Sequence, residues 1–423
     1  MKRRHWTGLG VVLVMMVSVS IPAAASAASL WVSPSPTIAG NGKGCTEPGY
    51  NSVQGAINAA ATGDKIKVCS GTYTEQLTIE KSVSLKAAGT PVIKLPAAPV
   101  NSTSSCGASM AAASDTMQDG IEVCGAVTVK ASGLAIEAAW PTGTCNDDLY
   151  GVFLGGGASL ALSNSRILAA GAQPINGCQG GIGVEVGTTR PTPALTASAT
   201  LINVLVEGYQ KNGINIIGSG SKATLKKVTV IGAGPTSAIA QNGIEIARGA
   251  EATITKSSSS GNVYSPQTVV STGLLAIEQS GAPTSITSST FENDDIGVYY
   301  GVSGTQTMSV NSSKFVNDTF DGVFFEEGNV VLNKDTFNGG EDGIGMYQEK
   351  GQASGPNGTG NKDTIENMSS YAVIGFSDNE GGDPPGTFRI TNSKISNNPS
   401  GASVQHSVFS ESNSLQIITE KDT

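Results

Sequence analysis

A chain of 423 residues with 54 glycines, 39% hydrophobic and only 14% charged residues lacks the charge-rich, apolar-poor signature of a disordered protein. Its formal charge of −9, from 34 acidic and 25 basic side chains, disfavours nucleic acid and anionic lipid as partners. It speaks less strongly against acidic polysaccharides, which calcium or a local basic patch could still hold.

The chain opens MKRRHWTGLGVVLVMMVSVSIPAAASAASL. Three cations (Lys2, Arg3, Arg4), an apolar run from Gly8 to Ile21 and an Ala25-Ser26-Ala27 cleavage pattern predict a bacterial-type secretory signal peptide over 1–27. Without those cations, 22 basic residues face 34 acidic ones. No later apolar run reaches the roughly 20 residues of a membrane span. Residues 28–423 are therefore expected to form a single secreted domain, extracellular or held at the cell surface, without membrane insertion and monomeric.

Six cysteines come next: Cys45, Cys69, Cys106, Cys124, Cys145 and Cys178. An even number in an exported chain predicts disulfides over coils 45–178. Short closures favour the pairs 45–69, 106–124 and 145–178. Metal binding is the weaker reading, since no CxxC spacing or nearby histidine supports it.

In the stretch 50–79, Ser52 is placed to cap a short α-helix whose Val53, Ile57 and Ala60 share a face. Thr62-Gly63-Asp64 ends it. This element, about 50–62, is expected to cap the open N-terminal end of the domain.

Two interleaved repeats then run to the C-terminus. One is a polar residue, a glycine and aliphatics: DGIEV (119–123), YGVFL (150–154), GGIGVEV (180–186), NGINI (212–216), NGIEI (242–246) and TGLLAI (272–277). It continues as DIGVYY (295–300), DGVFF (321–325), DGIGMY (342–347) and YAVIGF (371–376), with a last candidate copy at Ala402–Val404. The other alternates with period two and then bends, as in SLALSNSRI (159–167), ATLKKVTV (223–230), MSVNSSKF (308–315) and FRITNSKI (388–395). Strands this short must stack on their equivalents one coil away. The predicted fold is all-β, a right-handed parallel β-helix with a short N-terminal capping α-helix. Asn293, Asn317, Asn367 and Asn397, interrupted by Gly339, are expected to form a buried, hydrogen-bonded asparagine ladder at one bend.

These repeats and the opening helix resemble the pectin-lyase-like superfamily, the β-helix group of polysaccharide lyases, polygalacturonases, pectinesterases and carbohydrate epimerases. The resemblance covers nearly all of the chain after the leader. It implies an extended glycan lying along the outer face of one parallel sheet, but the scaffold hosts many chemistries. Polygalacturonase-like members carry Asn-Thr-Asp, Asp-Asp and Gly-His-Gly; only Asp-Asp is matched, at Asp147–Asp148 and Asp294–Asp295. The alginate-epimerase-like Asp-Pro-His-Glu is absent, since Pro385 follows Asp383-Pro384. One histidine, His406, lies beyond the leader, and Arg166, Arg190, Arg248 and Arg389 sit in no recognisable lyase motif.

The candidate chemistry is therefore acidic. Aligning the coils places Asp295, Asp321 and Asp342 in one column, where neighbouring carboxylates would repel, raise a pKa or recruit a cation. These three, with Glu326 and Glu327, are the candidate catalytic groups for hydrolysis between two carboxyls. Asp294, Asp295, Asp321 and Asp342 could alternatively hold calcium, opening β-elimination of a uronate, with Lys334 and Lys350 nearby. The opposing reading is that Asp and Asn precede Gly because they suit turns; Asn212 and Asn242 hold the same position. Tyr299, Tyr300, Phe324, Phe325, Tyr347 and Glu349 are the candidate substrate-binding residues, aromatic rings beside acids as in a sugar-stacking cleft. They could equally fill a widened core. The long inserts at 99–118 and 348–362 could wall the groove. Two functions are compatible with these residues: a secreted carbohydrate-active protein acting on polysaccharide by hydrolysis or β-elimination, or a non-catalytic protein binding a cell-surface glycan.

Overall fold

The computed structural model describes residues 27–34, 42–140, 148–278, 284–302, 306–349, 354–377, 385–398, 408–410 and 415–420, with Gly351 and Asp422. Residues 1–26 of the expected signal peptide over 1–27, with Cys145, Lys350, His406 and the expected repeat at Ala402–Val404, lie outside these residues. Strands stack coil upon coil in parallel register, giving the right-handed parallel β-helix that the repeats predict. Each coil of the central body contributes one strand to each of three faces.

The Gly-aliphatic repeats all fall on one of those faces, called here the groove sheet. Ile121, Val152, Val184, Ile214, Ile244, Leu274, Val298, Val323, Ile344 and Val373 form a single inward column through strands from Gln118–Cys124 to Val373–Ser377. Of these ten side chains, nine are at most 1% exposed and Ile121 is 5%, so the column is the spine of the core. The last pairing on this sheet is made by Val408–Ser410, further along than the expected copy at 402–404.

The glycine of the motif is there for packing. A Cβ on Gly213 would lie 2.4 Å from Val230 Cγ1 and 2.6 Å from the Gly243 carbonyl oxygen, inside any real contact. Asn212-Gly213 and Asn242-Gly243 lie inside strands Asn212–Ile217 and Asn242–Ala247, so the turn explanation of this dipeptide is corrected.

The bends fall elsewhere. Asn293, Asn317, Gly339, Asn367 and Asn397 are one aligned position, all left-handed, with φ between 55° and 74°. The asparagine column is therefore present and partly hydrogen-bonded, Asn397 donating to Asn367 at 3.3 Å, but its asparagines are exposed and hold a left-handed backbone conformation, which asparagine tolerates better than other non-glycine residues. A second left-handed column runs through Asn164, Asn203, Lys227, Lys256, Ser288, Ser312, Lys334, Lys362 and Asn392. Lys334 is thus a bend residue.

Where the residue after a bend of this second column is Ser or Asp, it points into the core and accepts a backbone N–H from the coil before. Ser289 accepts from Ser257 at 3.2 Å, Asp335 from Ser313 at 2.7 Å, Asp363 from Asp335 at 2.8 Å and Ser393 from Asp363 at 3.0 Å. This interior polar ladder satisfies the backbone where the strand ladder is interrupted. Beside it, Phe291, Phe315 and Phe337 stack at 5.6 and 4.7 Å.

The N-terminal helix forms at Val53–Ala59, with the Ser52 hydroxyl accepting from Gly55 N–H at 3.1 Å and Val53, Ala56 and Ile57 buried. It is not the outermost element: strand Ser29–Val32 pairs with Lys65–Thr74. Disulfides join Cys45 to Cys69 and Cys106 to Cys124. Cys178 is also disulfide-bonded, while its expected partner lies outside the described residues.

Candidate functional site

Strand alternation sorts the aromatic residues cleanly. Tyr300 and Phe325 are fully buried, as is Met346 beside them in register. The substrate-binding role expected for Tyr300 and Phe325 is thereby corrected: they are core. Their neighbours Tyr299 and Phe324 point outward, and Tyr299 packs on Phe324 with centroids 5.2 Å apart. Tyr347 continues the strip 6.5 Å from Phe324. Phe376, which was not among the expected residues, pairs with Tyr347 one coil later.

These rings line a groove of about 600 Å³ that also holds Ile296, Phe320, Asp321 and Glu326. Its shape depends on Gly345, the position in register with Phe324. A Cβ there would sit 2.2 Å from Asp321 Oδ1 and 2.8 Å from the Phe324 ring. The missing side chain is what lets the carboxyl and the ring lean across the next coil.

The expected aspartate column holds only in part. Asp321 and Asp342 are register partners. Asp295 is displaced by one position, because Thr272 pairs with Ile296 and Val298 with Val323. Its Oδ2 instead accepts the backbone N–H groups of Tyr264 (2.8 Å) and Ser271 (2.9 Å), anchoring the loop before the coil. Asp294 faces the interior and accepts from both the backbone and the side-chain amide of Asn262 at 2.8 Å. Burial pushes its carboxyl up, and the same holds for its interior neighbour Asp318.

The four carboxylates considered for calcium thus look in different directions, and they do not fit one ion. Among the described residues, the one group of three donors close enough for a metal is Cys106, Glu122 and Cys124, whose cysteines are joined in a disulfide.

The two carboxyls that stay in column differ. Burial first, then the neighbouring charges of Asp342 and Glu341, push Asp321 well above the ordinary carboxylate range. Asp342 is pushed up to about 6 by burial, with the Tyr371 N–H at 2.6 Å and the Ser370 hydroxyl drawing it back. Asp321 lines the groove, whereas Asp342 is tied to the backbone beneath it. At the rim, Tyr299 donates its hydroxyl to Glu326, and Glu349 adds negative charge beside both. Burial and the charges of Glu326 and Glu349 push Glu327 up.

The four arginines are engaged elsewhere. Arg166 pairs with Glu207, Arg190 with Asp148, Arg248 with Glu278 and Arg389 with Glu420.

The same outward columns carry different chemistry nearer the N-terminus. Phe324 and Tyr299 continue through Leu275, Glu245, Asn215, Glu185 and Phe153 to Glu122. Glu122 and Glu185 are buried, and Ser102 and Ser104 hydroxyls hold Glu122. Asn212 donates to Glu245 at 2.7 Å. Asp148 sits in a turn, buried, and takes Arg190 at 2.6 Å and the Tyr150 hydroxyl at 3.0 Å. The recurring Glu in DGIEV, GVEV and NGIEI was the signal for this network. The 99–118 insert covers it, with helix Ser105–Ala112 pinned by the Cys106–Cys124 disulfide. The other insert is partly strand: Asn357–Asn361 pairs with Asn329–Asn333.

In overall shape the chain is similar to the periplasmic alginate epimerase AlgG, with a TM-score of 0.50 and 12% identity over 85% of this chain and 76% of that one. It is likewise similar to the Agl-KA catalytic domain, with a TM-score of 0.56 and 14% identity over 86% of this chain and 64% of that one. Likeness at such identity shows the fold alone: this chain has a right-handed parallel β-helix, the fold it shares with these two structures. No family model matches the sequence, and no curated protein matches it.

Proposed function

We propose that this chain is a secreted, carbohydrate-active β-helix protein that binds an extended polysaccharide in the aromatic groove and hydrolyses it. The observation that carries this reading is the pairing of Asp321 and Glu326 in one groove whose floor is Tyr299, Phe324, Tyr347 and Phe376. Aromatic faces suit the apolar faces of sugar rings. Asp321, kept protonated by burial, is placed to donate a proton to the leaving glycosidic oxygen. Glu326 is the second carboxyl, acting as base or nucleophile on the opposite side of the bond.

Hydrolysis is preferred to β-elimination because the described lining residues include two acids and no lysine or arginine. Such a lining suits a neutral glycan better than a uronate. The backbone-bound carboxylates Asp295 and Asp342 favour the second reading, a glycan-binding groove without turnover.

The test is to incubate protein beginning at Ala28 with neutral and uronate polysaccharides, following new reducing ends and the absorbance of unsaturated products. Reducing ends from a neutral polymer, lost in Asp321→Asn and Glu326→Gln while binding persists, support hydrolysis. Binding abolished by Phe324→Ala, with no cleavage of any polymer, supports the binding protein. Unsaturated products would overturn the hydrolytic reading.

A further inference from the structure

Although the chain is acidic overall, one outer face at its N-terminal end gathers only cations. Strands Ser29–Val32, Lys65–Thr74, Ser84–Lys94 and Thr128–Ser132 stack so that Lys65, Ser84 and Lys130 share a column. Trp31, Lys67, Lys86 and Ser132 share the adjacent one. Their strand neighbours Ile66, Val68, Leu85, Val129 and Ala131 are buried, so alternation sends these two columns to solvent.

The lysines border a shallow hollow of about 430 Å³ whose wall contains no carboxylate. Among the described residues, none of the four makes a salt bridge. Like charges on adjacent strands repel, and a sheet with 34 acidic residues available to the chain has placed none of them in this wall. Stacked coils are about 4.8 Å apart, so the cations recur at a regular interval along the solenoid axis. A polymer with regularly repeated negative charge matches that pattern.

We propose that this face binds an acidic polysaccharide, separately from the aromatic groove. The carboxylate or sulfate groups of the polymer would lie over Lys65, Lys67, Lys86 and Lys130. Trp31, half-buried in the Lys67 column, offers an indole face to a sugar ring, and Ser84 and Ser132 add hydroxyls. The indole and hydroxyls favour a sugar polymer over a phosphodiester chain or an anionic lipid. The face lies on a different sheet from the groove and shares no residue with it, so the proposal stands apart from the hydrolytic reading.

The experiment measures binding of polygalacturonate, dextran and a single-stranded nucleic acid to protein beginning at Ala28, across a salt titration. Wild type should bind polygalacturonate with an affinity that falls as salt rises, and should bind dextran no better in low salt than in high salt. Lys67→Glu with Lys86→Glu should weaken polygalacturonate at least about tenfold, and Trp31→Ala should weaken it with the salt dependence retained. Phe324→Ala should leave it unchanged. Because the lysines are exposed or half-buried, Lys67→Gln with Lys86→Gln serves as a second variant should charge reversal impair folding. Polygalacturonate binding untouched by both lysine pairs, no binding in low salt, or nucleic acid binding as tightly as polygalacturonate would each overturn the proposal.

Discussion

Asp363→Ser isolates a property of the interior ladder that neither contacts nor composition reveal. Asp363 is 1% exposed and accepts the Asp335 N–H at 2.8 Å. Burial, opposed by that hydrogen bond and reinforced by the charge of Asp335, pushes it from 3.8 to about 7. An acid with a raised pKa in the folded state binds its proton more tightly there than in the unfolded chain. Its contribution is therefore fully present below the unfolded value and is lost as pH rises through the folded one. That rise in proton affinity corresponds to about 4 kcal/mol lost between pH 4 and pH 7. Serine is the residue that the same ladder uses at 257, 289, 313 and 393, where its hydroxyl accepts the equivalent N–H. Asp363→Ser should thus match wild type within about 1 kcal/mol at pH 4 and exceed it by several at pH 8. Urea unfolding at both pH values checks this. Since stacked coils can unfold in steps, hydrogen exchange at the Asp335 amide provides the local reading. Equal pH dependence in the two proteins, or a wild type that gains stability from pH 4 to pH 8, would refute the reasoning.

Other expectations concern the groove and the scaffold. If Asp321 is the proton donor, turnover should fall on the alkaline side as its raised pKa is passed, and Asp321→Asn should reduce it by roughly 10²–10⁴ at every pH; a pH profile measured on both proteins decides it. Gly213→Ala places a Cβ 2.6 Å from the Gly243 carbonyl and should cost about 3 kcal/mol in a thermal melt, whereas Gly44→Ala, with nothing within 4 Å, should leave the melt unchanged. Replacing Cys106 and Cys124 by serine opens an 18-residue closure and should cost about 3 kcal/mol, with exchange protection lost first around helix Ser105–Ala112.

The sequence revealed the coil because inward aliphatics recur at one strand position, and stacking leaves such a column nowhere else to go. It located Tyr299 and Phe324 for the same reason: rings stood at a position that other coils give to Leu275 or Asn215; Asp321 and Glu326 were found as the acids beside them. It could not separate Phe324 from Phe325, since adjacent aromatics carry no sign of which faces in; the buried Val323 column settles that through alternation. Nor could it place Asp295. Ile296 stands between Asp295 and Gly297, whereas Asp321 and Asp342 directly precede their glycines, so once Val298 pairs with Val323 the aspartate falls one position early.

Where the groove opens is decided by cover, not by acidity. The outward column holds Glu122, Glu185 and Glu245 in early coils and Tyr299 and Phe324 in later ones, so carboxylates are at least as frequent away from the aromatic groove; a polar hollow of about 400 Å³ lies beside Asp119 and Glu122. The early acids are held by partners: Ser102 and Ser104 donate to Glu122 in the wall of that hollow, and Arg190 reaches Asp148 from a connecting segment. Burying a carboxylate demands hydrogen-bond partners for it, which is why amides, serines and an arginine accompany these positions. Over the later coils the rings need no such partners, and the face remains open to solvent. The exchange of carboxylate for ring along one column thus has a physical consequence: it lets the same sheet be covered at one end and available to a ligand at the other. Asp321 is the acid on the open side of that change, and its high proton affinity comes from burial and from the neighbouring charges of Asp342 and Glu341.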